Sequence, residues 1–381
     1  MRVKKLFFLF LSIIMLITQT SCWQGREIDA RAFVTAIAFD LPQEQAEGVQ
    51  QFLLSIQVPV PLKMAGGERG GSPQEKPFLV FGTTADTVIA GILQLQRQLD
   101  RQLFLGHARL ILISEEVVKV FGLDELLDYF KRDFRIQRMT RIAIVEGKAK
   151  EVLNIQPPIG QTPSTYILNL ISPQSGSSFN YISDLGKLLV TQSDEGIEPV
   201  LPRISKGKET ALTGGAAVLK NGKFLGWLSD FETRGLNILL NEFIESDYQV
   251  ECPLHSGEII SVGVNNLRTN YRLAQEGNTW VLMIKVGGKF ETREFSEKHG
   301  PMAKLTEGLE RNVTEKIREE LENVIIKAQG LGADIFGIGR YLQAYNPKLW
   351  KQLNWEQEFP YFPIKLEVKM EWGLTVRRLG G

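Results

Sequence analysis

Cysteine, histidine and net charge are what this chain of 381 residues has least of. Its two cysteines, Cys22 and Cys252, provide no disulfide framework, so stability must come from packed cores. Its three histidines, His107, His255 and His299, stand far apart and outside any HExxH or CxxC spacing, so no metal site is expected. Basic and acidic residues balance at 44 each. Removing residues 1–21, which hold Arg2, Lys4 and Lys5 but no acid, leaves a slight acidic excess and argues against nucleic-acid binding. After the N-terminal region no apolar run approaches the ~18 residues of a spanning helix. Gly337 and Gly339 lack the third glycine, the lysine and the preceding strand of a phosphate loop. His107 has neither a GxSxG elbow nor a cysteine nucleophile beside it. No catalytic residue and no cofactor is therefore expected.

Apolar residues at 43% and charged residues at 23% are ordinary for folded soluble proteins, and the length suits two or three domains. At the N-terminus three cations precede the apolar run 6–17, which is too short for a permanent span and reads as a secretory signal. It ends in Thr18-Gln19-Thr20-Ser21-Cys22, and Cys22 behind the small Ser21 resembles the acceptor of a bacterial lipoprotein signal. Gln19 stands where such a signal normally has an apolar residue. The expectation is a diacylglycerol on Cys22, with an ordinary secretory signal as the alternative.

Residues 22–155 alternate strand and helix patterns, predicting an α/β-type N-terminal domain. Period-two alternation marks a strand over 51–58, an exposed loop comes next over 64–77, and 78–81 reads as a strand. Ala85, Val88, Ile92, Leu95 and Leu99 recur at helical spacing, 110–113 reads as a buried strand, and helices over 115–121 and 123–134 precede a strand at 141–145. Residues 156–213 are rich in Pro, Gly and Ser and predict a connector or small middle domain, with helical patterns at 166–171 and 182–190.

Residues 214–381 predict an α+β C-terminal domain, an antiparallel sheet packed by a long helix. Two apolar runs flanking Asn221-Gly222 form a hairpin signal, and strand patterns continue at 259–264 and 280–286. Leu305, Leu309, Val313, Ile317, Leu321, Ile325 and Ala328 mark one long amphipathic helix. Gly330 and Gly332 end it, Asp334 caps the next short helix, and alternation over 364–376 closes the chain as a strand. The acids on the long helix, among them Glu310, Glu315, Glu319 and Glu320, read as a solvated face.

Several segments together carry a family resemblance: Cys22-Trp23 with Glu27-Ile28, Gly106-His107, residues 147–153, Gly215-Ala216-Ala217-Val218, residues 334–339, 347–350 and 355–360. Over nearly the whole mature chain the sequence resembles the Ger(x)C family, the C subunits of spore germinant receptors. It departs at Gln24, where the family usually has Asp. The resemblance implies a non-enzymatic lipoprotein on the outer face of the spore inner membrane, assembled with an A and a B subunit and needed for receptor assembly or signalling. Trp23, Asp334, Phe336, Gly337, Trp350 and Trp355 are the candidate partner-contact residues, although a helix cap and an aromatic core would use the same residue types. The competing classes are a solute-binding lipoprotein, which would show two similar lobes, and an exported hydrolase, which would show a nucleophile or carboxylate pair.

Overall fold

A computed structural model of the chain describes residues 30–44, 50–60, 76–158, 162–175, 177–294 and 302–373. The signal, Cys22, Trp23 and all of the expected loop but Lys76 and Pro77 lie outside these residues.

In chain order the first strands are β1 (Arg31–Phe33), β2 (Ala36–Asp40), β3 (Phe52–Pro59), β4 (Phe78–Ala85), β5 (Gln102–Phe104), β6 (Leu110–Ser114) and β7 (Arg141–Glu146). Next come β8 (Val200–Lys206), β9 (Ala211–Lys220) and β10 (Lys223–Leu228). β1 and β5 form a small parallel pair, and the other eight make one sheet in the order β10-β9-β8-β7-β6-β2-β3-β4. Its middle, β8-β7-β6-β2, is parallel. Helices α1 (Val88–Gln96), α2 (Glu115–Val120), α3 (Leu123–Arg132), α4 (Ala149–Leu153), α5 (Pro163–Leu170) and α6 (Leu185–Gln192) make the connections. The β6 run 110–113 is apolar at every position because both faces are covered. Ile111 and Ile113 meet Val117, Leu126, Phe130 and Leu188 of α2, α3 and α6, whereas Leu110 and Leu112 meet Val152 and Ile167 of α4 and α5.

The second body holds α7 (Asp230–Leu239), β11 (Glu245–Glu251), β12 (Ile259–Glu276), β13 (Thr279–Thr292), α8 (Met302–Leu331), α9 (Ile338–Tyr345), α10 (Pro347–Trp350), α11 (Trp355–Glu358) and β14 (Ile364–Trp372). Its sheet runs β11-β12-β13-β14. α8 is the expected long helix and buries Leu305, Leu309, Val313, Ile317, Leu321 and Ala328 against that sheet, at about 1.5–3 kcal/mol for each large side chain.

The α+β class stands, with three corrections of detail. β14 pairs with β13 in parallel, so the C-terminal sheet is mixed and not purely antiparallel. α8 carries the chain back to the end from which β13 started, and a strand entered from that end must run parallel to it. The Asn221-Gly222 hairpin is present, with both turn residues at positive φ (51 and 73), but it extends the N-terminal sheet through β9 and β8. Residues 156–213 are not simply a connector, because β8 lies inside that sheet. β9 is a shared wall. Its Ala217 and Leu219 face the core under α2 and α3, and Ala216 and Val218 face the core under α7 and α8. Period-two alternation reports that a strand is buried, not which sheet it joins.

Candidate functional site

The motif residues after the long helix form the corner where the two bodies meet. Gly332, at φ 64, ends α8, and Asp334 comes two residues later with its side chain wholly inside the protein. Asp334 Oδ1 accepts hydrogen bonds from the backbone N–H of Phe336 (3.2 Å), Gly337 (2.9 Å) and Ile338 (3.1 Å). Its Oδ2 accepts from Gly339 N–H (2.7 Å) and from Trp355 Nε1–H (3.0 Å). The carboxylate thus satisfies the orphan amides at the start of α9 and ties in α11. Burial pushes its carboxyl up to about 6, against the downward pull of the donors from Gly339, Ile338, Trp355 and Phe336. Gly337 turns the chain at φ 73, a region strained for any residue with a Cβ.

The same corner grips a distant segment. Glu198 N–H donates to Asp334 O (2.7 Å), Arg340 N–H to Gly196 O (3.0 Å), and Arg340 Nε to Asp194 Oδ2 (2.7 Å). Gly339 and Gly196 are both needed for this approach. A Cβ on Gly339 would lie 2.6 Å from Trp355 Nε1, and one on Gly196 would collide with the Arg340 backbone.

The structure brings together five of the six candidate contact residues, and puts them largely inside. Asp334, Phe336 and Trp355 are buried, and Trp350 is half-buried. Trp355 packs edge-on to Phe362 at 5.1 Å, with Phe359 at 5.7 Å and Trp350 at 6.0 Å. Trp23, like Cys22, lies outside the described residues. Above this cluster opens a cleft of about 1070 Å³, bordered by Gln192, Glu198, Lys220, Trp350 and Asn354. Burial raises the Glu198 carboxyl, while Lys220 bonds Gly332 O at 2.8 Å and pairs with Glu356 at 3.3 Å.

Other polar centres were missed or misread in the sequence. Glu320, expected on the solvated helix face, is 4% exposed and paired with the equally buried Arg234, whose guanidinium lies 3.8 Å from the Tyr248 ring centre. A strict helical repeat hides such a residue, because α7 and β11 cover the flank of α8 as well as its apolar stripe. Asp40, the last residue of β2, accepts from Ala149 N–H (2.6 Å) and Lys150 N–H (2.8 Å) and so anchors the 147–153 motif. His107 is an exposed residue of a short 3₁₀ turn, edge-on to Phe33 at 5.3 Å. No metal site was expected from the sequence, yet the turn between β11 and β12 gathers three possible ligands. Cys252, His255 and Glu258 offer ligand atoms all within 4.8 Å of one another. The signal was a C-x₂-H-x₂-E spacing, visible in the sequence but outside the patterns considered.

Among the described residues no helix is long and apolar enough to cross a membrane. Two family models match the chain: the spore germination protein N-terminal domain over residues 24–206, and the spore germination B3/GerAC-like C-terminal domain over 214–380. Spore germination protein KC of Bacillus subtilis (strain 168) is 23% identical, over 99% of this chain and 97% of its own length. Spore germination proteins B3 and A3 of the same organism are each 21% identical, covering 94% and 95% of this chain and 94% of their own lengths. The crystal structure of the GerBC protein shares the fold, with a TM-score of 0.59 at 18% identity over 88% of this chain and 96% of that one. With matches running from end to end and the motif residues built into one corner, the chain belongs to the Ger(x)C family of spore germination proteins.

Proposed function

We propose that this chain is the lipid-tethered C subunit of a spore germinant receptor, acting in receptor assembly or signalling through protein contacts and not through chemistry. Its partners are the A and B subunits, and its place is the outer face of the spore inner membrane, held by a diacylglycerol on Cys22. The observation that carries the reading is how the motif residues are used. Asp334, Gly337, Gly339 and Trp355 join the α8 corner to the 194–198 segment, so the motif fixes two bodies in one arrangement for partners to recognise.

The surface beside the first described residues suits a tether. Arg31 stacks over Phe104 at 4.9 Å, and the carbonyl of Arg135 lies next to Gly106. The loop holding Arg135 and Arg138 exposes Phe134 (95%) and Met139 (78%). Exposed apolar side chains among arginines are what a headgroup layer accepts. From Cys22 to Ala30 the chain can reach at most about 29 Å, which keeps this surface near the membrane.

The test is purification of the receptor from spore inner membrane, with cross-links mapped and the chain's intact mass measured. Co-purification with both partner subunits and a diacylglycerol mass on Cys22 are expected, and Cys22→Ala should leave a folded chain that no longer partitions with membranes. A chain that stays on membranes without lipid, or that purifies free of both subunits, overturns the proposal.

A further inference from the structure

We propose that the turn joining β11 to β12 is a binding site for a divalent transition metal of the zinc class, with Cys252 Sγ, His255 Nδ1 and Glu258 Oε2 as ligands. The proposal is independent of the receptor reading.

The geometry is the first argument. Tetrahedral zinc with ligands at about 2.3 Å (S) and about 2.0–2.2 Å (N, O) holds neighbouring ligand atoms about 3.3–3.6 Å apart. Here Sγ and Nδ1 are 3.7 Å apart, Nδ1 and Oε2 3.5 Å, and all three ligand atoms lie within 4.8 Å of one another. Small side-chain adjustments would complete three corners of the tetrahedron.

The backbone is already shaped for it. Cys252 N–H donates to Glu258 O at 2.8 Å, closing the turn, and Leu254 N–H points at Cys252 Sγ at 3.4 Å. An amide aimed at the sulfur fixes its position in the turn, as an outer-shell partner of a ligand does. The turn is braced from behind, because Pro253 sits on α8 at Gly308 and Asn312 Nδ2 donates to Glu251 O at 2.9 Å. Cys252 is buried, whereas the side chains of His255 and Glu258 are about half exposed, so a metal would enter from solvent and keep its fourth position for water.

The donor set selects the class. One sulfur, one imidazole nitrogen and one carboxylate oxygen suit zinc or cobalt(II), whereas calcium and magnesium require oxygen ligands. Binding would displace the thiol proton and pin the β11–β12 turn beside α8.

The experiment uses the full chain carrying Cys22→Ala, which leaves Cys252 as its sole cysteine, purified in detergent without a histidine tag and titrated with cobalt(II) alone. One cobalt per chain is expected, with a thiolate-to-cobalt charge-transfer band in the near ultraviolet that one equivalent of zinc abolishes. Cys252→Ser should remove the band. His255→Gln should weaken binding more than about 100-fold, beyond the 10–100-fold typical of an outer-shell partner, and Glu258→Gln at least about 10-fold. His255 and Glu258 are only half-buried, so their variants keep the test decisive if Cys252→Ser folds poorly. Absence of the band from a folded chain would show a hydrogen-bonded turn only, and its persistence in the then cysteine-free Cys252→Ser chain would show cobalt held elsewhere; either result overturns the site.

Discussion

Asp334 is the residue on which the corner depends most, and its removal gives the sharpest test of that account. Five donors converge on its two oxygens: four backbone amides of residues 336–339 and the indole of Trp355. In Asp334→Ala a single water filling the vacated space could accept from two of them, stranding three. A buried donor without an acceptor costs about 1–3 kcal/mol, so the loss is about 3–9 kcal/mol, comparable with the 5–15 kcal/mol that holds a typical domain together. Asp334→Asn should be milder. Its carbonyl keeps three donors, its amide nitrogen strands two, and relief from burying a charge offsets part of the cost. At about 2–4 °C per kcal/mol, Asp334→Ala should lower the melting temperature by at least about 6 °C, with Asp334→Asn between it and the wild type. Thermal denaturation followed by circular dichroism reads the shift, and subunit levels in spores read its consequence. An Asp334→Ala chain melting within about 2 °C of the wild type would refute the reasoning, because the amides would then have found other acceptors.

Asp334 also predicts a pH dependence. Its carboxyl stands at about 6 in the fold against an ordinary 3.8, so the proton-linked part of the stability it contributes is whole below about pH 4 and lost as pH rises through 6, while its acceptance of the five donors remains. At about 1.4 kcal/mol per unit the wild type's advantage over Asp334→Asn should shrink by about 3 kcal/mol between pH 4 and 7; a constant advantage contradicts this. Glu320→Ala should cost about 3–5 kcal/mol by leaving Arg234 charged and unpaired in the core. Arg234→Met combined with Glu320→Leu should recover most of that loss in denaturant titrations, and equal losses in the single and double variants would argue against a buried pair. On the proposed contact role, His107→Ala, which removes an exposed ring packed against Phe33, should leave germination within about twofold of wild type per folded chain. Abolished germination at normal subunit levels and stability would reopen a site-based mechanism.

Local pattern made a large part of this protein legible. The apolar run of β6, the repeat of α8 and the Asn221-Gly222 turn each depend on interactions within a few residues, and each stands where the sequence puts it. β2 was not foreseen, although all five of its residues are buried, because a short strand covered on both faces has no alternation to read. The corner residues were identifiable as a motif but not as a joint. Nothing near Asp334 in sequence shows that Trp355 would supply a donor or that Gly196 would pack against Gly339.

The sequence by itself determined the main helices and strands, the α+β class and the family, because periodicity, turn chemistry and motif identity are local properties. Only the tertiary structure decided that β9 and β10 extend the N-terminal sheet, that β14 runs parallel to β13, that Glu320 is buried, and that Cys252, His255 and Glu258 share one turn. Strand partnership, burial of a helix flank and convergence of side chains depend on which surfaces meet in space, and a pattern of polar and apolar residues does not encode which surface will cover which.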